Sequence, residues 1–173
     1  RSIRNLKNKH YICKKLKSFF IEDKRSAIFW LIIRLYVGLA WFEAGWEKLM
    51  SGAWLGGNAG NIVKGFLNGA LAKTGGEHPD VMGWYAWLIN HVFIPGAPLL
   101  SYLVVFGEII VGLALILGLC TKRALRVGIF MNLNYLFAGV VSINPFLLVL
   151  QLLLIKGNKV AGWIGLDRFM NKK

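Results

Sequence analysis

Histidine is scarce in this chain. It occurs at His10, His78 and His91 among 173 residues, and never inside a long apolar run. Haem held between helices needs imidazoles at such positions, so that chemistry is excluded. Cysteine is scarcer still. Cys13 and Cys120 form no CxxC pair and no Cys/His cluster, which argues against a dithiol redox motif or a structural zinc site. No carboxylate and histidine set resembles a di-metal centre, and no glycine-rich phosphate loop opens a helix. No metal, haem or flavin is expected. Acidic residues are also few: eight, against 21 Lys and Arg, for a net charge of +13.

What the chain has in excess is apolar residues, 56 % against 17 % charged, and they fall in blocks. Soluble domains sit near about 45–50 % apolar and about 25 % charged. A helix needs about 20 residues to cross a hydrocarbon layer of ~30 Å. Four runs are candidates: 27–50, 98–119, 124–141 and 145–163. The third is slightly short, and Lys156 and Lys159 interrupt the fourth, which has a second reading as ending near Ile155. The expected fold is an all-α integral membrane protein with a four-helix transmembrane bundle.

The basic residues collect at the ends of these runs, so anionic lipid headgroups are the expected partner and nucleic acid is not. Residues 1–25 hold nine Lys and Arg, "CTKRALR" three and 156–173 five, whereas loop 51–97 holds only Lys64 and Lys73. The asymmetry predicts a multi-pass protein of the cell membrane, with both termini cytoplasmic and loop 51–97 outside. Residues 1–25 form a separate basic segment preceding the membrane domain 26–173. Its "RSIRNLKNKHYICKKLKSFF" is amphipathic and lacks a small-residue cleavage site. It is expected to lie along the membrane surface through Ile12, Leu16, Phe19 and Phe20, a solvated tail being the alternative. In the outer loop, "NAGNIVKGFLNGALAK" and "VMGWYAWLINHVF" carry helical spacing and interfacial aromatics. They predict two short helices capping the outer end of the bundle.

Polar residues inside apolar runs carry the functional signal. In the first run Arg34, Gly38, Trp41, Gly45 and Lys48 follow a 4-3-4-3 stride and form one stripe, with Glu43 and Glu47 on the opposite side. Counted from Ala27, Arg34 lies ~10 Å deep, while Glu47 and Lys48 reach the outer interface at ~30 Å. Glu43 and Glu47 read as a solvated rim. Glu108 falls ~16 Å from the inner end of the second run, and Asn132, Asn134 and Tyr135 lie at ~12–16 Å in the third. Mid-bilayer carboxylates usually pair or line a cavity. The layer therefore has two readings: an Arg34–Glu108 pair that fixes helix register, or a polar cavity open to a substrate or quinone.

The motifs "RLYVGLAWFEAGWEKL", "FGEIIVGLALILGLCTKRAL", "GIFMNLNYLFAG", "SINP" and "KVAGWIGLDRF" resemble, in this order, those of the DoxX/DoxD family of small membrane proteins. That family includes the DoxD subunit of thiosulfate:quinone oxidoreductase. The resemblance covers roughly residues 27–170. Positions typical of the family are Arg34, Gly45, Lys48, Glu108, Gly112, Asn132, Asn134, Asn144 and Pro145, whereas Glu43 and Glu47 depart from its pattern. A DoxA-like second subunit is not part of this chain.

The resemblance implies a four-helix bundle that passes electrons from a reduced sulfur compound or a partner dehydrogenase to the quinone pool. On that reading Glu108 and Arg34 are catalytic. Asn132, Asn134, Tyr135, Lys48 and Trp41 bind a diffusible quinone, and Lys48 draws an anionic donor from outside. The alternatives are a non-catalytic scaffold that recruits or stabilises an oxidoreductase complex, and a small-molecule or lipid transporter. A partner subunit or a homo-oligomer is expected in either of the first two cases.

Overall fold

The computed structural model describes residues 14–15, 18–21 and 23–170, and every regular element among them is helical. Ile12 and Leu16 of the proposed surface segment lie outside the described residues. Phe20 packs against the core, and its carbonyl accepts from Trp30 Nε1 at 2.7 Å.

Helix α1 runs Ala27–Met50, and α4 runs Ala97–Leu117 with a proline in its first turn. Between them lie α2, Asn61–Leu71, and α3, Gly83–Leu88, which continues as a π turn over Ile89–Phe93. Helix α5 covers Thr121–Phe137 and α6 covers Asn144–Lys156. The short turns α7, Asn158–Ala161, and α8, Asp167–Met170, close the described chain.

Two helical stretches, Lys24–Met50 and Ala97–Leu117, are long and apolar enough to cross a membrane. Their burial says what surrounds them. Only 33 % of each apolar window is buried inside the protein, and Ile28, Ile32, Leu39, Leu103 and Ile110 are left exposed. Apolar surface on that scale is untenable in water and favourable in lipid. The other two expected spans are shorter than their sequence runs. Helix α5 has 17 residues, and its first turn carries Lys122 and Arg123. Helix α6 has 13 and stops at Lys156, where Gly157 lies against the Trp30 ring.

Helices α1 and α4 are antiparallel and approach closely through glycine. A Cβ on Gly45 would lie 2.8 Å from the backbone N of Ile109, and one on Gly38 3.1 Å from that of Ile116. Gly112 faces the backbone of Phe42 from the other side. Gly38 opposite Ile116 means that α1 begins roughly ten residues, or ~15 Å, before the level at which α4 ends. The two helices do not start level.

Two apolar clusters follow. The larger joins Trp30, Val37, Trp41, Leu115, Leu125 and Leu154 along the body. The smaller joins Val63, Leu67, Tyr85, Ile89 and Ala138 where α2 and α3 cap one end, as two short helices over loop 51–97 were expected to do. At the opposite, basic end, Gly118 takes φ +65° and Cys120 φ +48° in the turn from α4 to α5. Residues 161–168 fold beneath this turn, with Asp167 N donating to Gly118 O at 2.8 Å and Thr121 N donating to Asp167 Oδ2 at 2.9 Å.

Candidate functional site

The α1 stripe does face inward: Arg34, Gly38, Trp41 and Gly45 are buried and Lys48 is half-buried. Its members serve two separate places. Arg34 is 1 % exposed but does not meet Glu108. Its Nη1 donates to Ala161 O at 2.8 Å and its Nη2 to Ile164 O at 2.6 Å, and its guanidinium lies against Gly118 and Gly165. The expected Arg34–Glu108 pair is therefore corrected. At Arg34 the α1–α4 register has already reached the basic end, and a planar fork there finds two carbonyls of the chain folding back. Arg34 clamps that segment and does not line the cavity described next.

Glu108 pairs with Lys48 instead. Lys48 Nζ donates to Glu108 Oε2 at 2.7 Å and to Ala44 O at 3.2 Å. Tyr135 OH donates to Glu108 Oε1 at 2.6 Å. Lys48 was expected at the outer interface, because the count began at Ala27. The overhang of α1 lowers it to the middle of α4, since Gly45 packs on Glu108 Cβ and Lys48 follows one turn later. Three helices thus meet at one carboxylate; the Glu108 side chain is 2 % exposed and that of Lys48 21 %. Pairing both charges and satisfying both oxygens is what makes such burial tolerable.

This triad borders a cavity of about 730 Å³, also lined by Trp41, Trp54, Phe66, Tyr85 and Asn134. The Trp41 and Tyr135 rings stack at 6.4 Å and 25°, and Phe66 stands edge-on to Tyr135 at 6.2 Å. Lys48 Nζ sits 5.4 Å from the Trp54 ring centroid, within cation–π range. Residues of α2 and α3 complete the cavity from the capped end. There Tyr85 OH donates to the backbone carbonyl of Asn134 at 2.9 Å, with the Asn134 side-chain oxygen 3.1 Å away, and burial pushes its hydroxyl up to about 12.

Of the expected quinone-binding residues, Trp41, Lys48, Asn134 and Tyr135 line the cavity with Glu108, and Asn132 does not. Asn132 is wholly buried, one turn from Gly128 on the same face of α5. Glu43 and Glu47 are exposed, as a rim would be, yet both border the cavity mouth. Three carboxylates against one ammonium leave no attraction for an anion at Lys48, whose charge Glu108 already balances. Trp54 and Gln151 were not singled out from the sequence, and Phe66 and Tyr85 stood out only as residues of the outer helices. Gln151 had a visible signal, a lone amide in the apolar run "FLLVLQLLL".

Two lipid-suited helices gripping a buried ion pair beside an apolar cavity define a helical membrane protein. The sequence profile of the DoxX family matches residues 29–141, more than half of the chain, and the protein belongs to that family. No curated protein and no solved structure matches the chain.

Proposed function

We propose that this protein is a quinone-binding membrane subunit that helps pass electrons from a reduced sulfur compound or a partner dehydrogenase to the quinone pool. In this reading α1, α4, α5 and α6 form a four-span bundle in the cell membrane, the shorter pair being completed by flanking turns, with both termini cytoplasmic. The observation that carries the proposal is the Lys48–Glu108–Tyr135 triad at the edge of an aromatic, largely apolar cavity of about 730 Å³. That size and lining suit an amphipathic ligand with a small polar head.

The residues present fit a quinone headgroup. Lys48 has three N–H donors, of which Glu108 and Ala44 take two, leaving one for a ligand carbonyl. Tyr135 and Trp41 offer ring faces to a planar head, and Asn134 supplies an amide at the wall. Reduction to quinol takes up two electrons and two protons. The electrons come from the donor, and this chain holds the headgroup, excludes bulk water and keeps a carboxyl proton site beside it. The carboxylate excess makes this cavity a place for a neutral ligand, so an anionic sulfur donor would engage a partner subunit elsewhere.

One observation favours a scaffold instead. Every nitrogen and oxygen of the triad already has at least one partner within the chain, which suffices to lock the register of α1, α4 and α5. Quinone reduction by the complex purified in mild detergent separates the two. Glu108→Gln is expected to slow turnover by at least about tenfold while the far-ultraviolet spectrum stays helical. Wild-type turnover in that variant, together with no quinone recovered by solvent extraction of the native protein, would leave the scaffold.

A further inference from the structure

A second set of polar groups lies behind the wall that Trp41 and Tyr135 form. Asn132 and Gln151 are wholly buried and Trp41 is 3 % exposed. Trp41 Nε1, Gln151 Oε1 and both polar atoms of the Asn132 side chain have no hydrogen-bond partner among the described residues. The Gln151 amide nitrogen is satisfied, donating to Leu147 O at 3.1 Å. What remains is one donor from α1, one acceptor from α6 and a whole amide on α5.

The donor and the acceptor meet at a glycine. A Cβ on Gly128 would stand 2.6 Å from Gln151 Oε1 and 3.3 Å from Trp41 Nε1. The donor and acceptor therefore flank the same bare stretch of α5 without bonding each other. Asn132 is one turn along that face and Tyr135 three residues beyond it, so the strip runs ~10 Å from Gly128 to the triad. Wholly buried Leu125 lies on the same face toward the basic end, and Trp41 and Tyr135 line the cavity while Gly128, Asn132 and Gln151 do not.

A buried polar group without a partner is costly, and in closed polar sites internal water removes that cost. We propose that the strip between Gly128 and Asn132 is an internal water site. One molecule accepts from Trp41 Nε1 and donates to Gln151 Oε1, and a second serves the Asn132 amide. Water fits because it both donates and accepts, as the Trp41 donor and the Gln151 acceptor together require. The site puts orientable dipoles behind the Tyr135–Glu108 hydrogen bond, where they answer a change of charge on Glu108. That role rests on the redox reading of the cavity, whereas the water site itself does not.

The test is water-to-indole magnetisation transfer in the full chain, labelled with ¹⁵N-tryptophan and held in lipid nanodiscs. Trp41→Phe identifies the resonance. A cross-peak between water and the Trp41 indole proton is expected, with Gly128→Ala and Gln151→Met each lowering it at least about threefold. Two substitutions keep the test decisive if one of them fails to fold. An indole that receives nothing from water in the native protein, or a cross-peak unchanged in the folded variants, overturns the site. Quinone reduction that persists beside a dry indole would remove the water alone, and a hydrated indole without quinone activity would remove only the redox role.

Discussion

Lys48 and Glu108 lie 60 residues apart in sequence and 2.7 Å apart in space, and they are the one salt bridge among the described residues. The carboxylate is the more deeply buried partner, so the pair is asymmetric. Removing Lys48 strands a buried anion, whereas Glu108→Gln leaves an ammonium that can turn toward the cavity. Lys48→Met is expected to destabilise the protein by about 3–5 kcal/mol, and Glu108→Gln by less. The double variant should recover much of the loss. Thermal unfolding in detergent for all four proteins measures the coupling, and additive effects would mean that the pair contributes nothing.

The glycine contact between α1 and α4 sets that pair's geometry. Gly112→Ala drives a methyl into the Phe42 backbone and is expected to cost at least about 1–3 kcal/mol. Gly107→Ala meets only the Met131 side chain, at 3.3 Å, and should be tolerated. Equal unfolding temperatures for the two variants would contradict the close-approach argument.

Arg34 is expected to act on the chain fold rather than on the ligand. Arg34→Leu removes charge-assisted bonds to Ala161 and Ile164, worth about 1.5–3 kcal/mol each. Amide exchange of residues 161–168 should rise strongly, while quinone affinity changes less than about twofold. Unchanged exchange with lost affinity would restore Arg34 to the ligand site.

Tyr85 gives the capped end a pH limit. With its hydroxyl pushed up to about 12 from 10.0, the folded state holds the proton more tightly than the unfolded state does. Its contribution is fully present below about pH 10 and is lost as the pH rises through about 12. Amide protection of α2 and α3 should fall over that window in the native protein, with a smaller fall in Tyr85→Phe. Identical profiles would separate the cap from this hydroxyl.

Much of this architecture was legible because helical period and the rarity of charge in lipid are strong signals. The stripe through Gly38, Trp41 and Gly45 and the weight given to Glu108 both came from them. Depth was not legible. Counting from Ala27 assumed that helices begin level, and the overhang of α1 moved Lys48 from the interface to the ion pair. Aligning Gly38 and Gly45 with Gly112 would have exposed the offset. The true partners of Arg34 are backbone carbonyls, which no residue type announces. Glu43 and Glu47 were read correctly as exposed, but a cavity opening between helices turns a rim into a mouth.

The tight turn between α4 and α5 has a mechanical consequence. Only Gly118, Leu119 and Cys120 join the two helices, and Asp167 staples the junction from beneath. The helices are thus pinned like the spring end of a clothes-peg. Any widening that admits a guest must come from the far jaws, where Lys73 and Tyr85 latch the short helices onto Gly139 and Asn134.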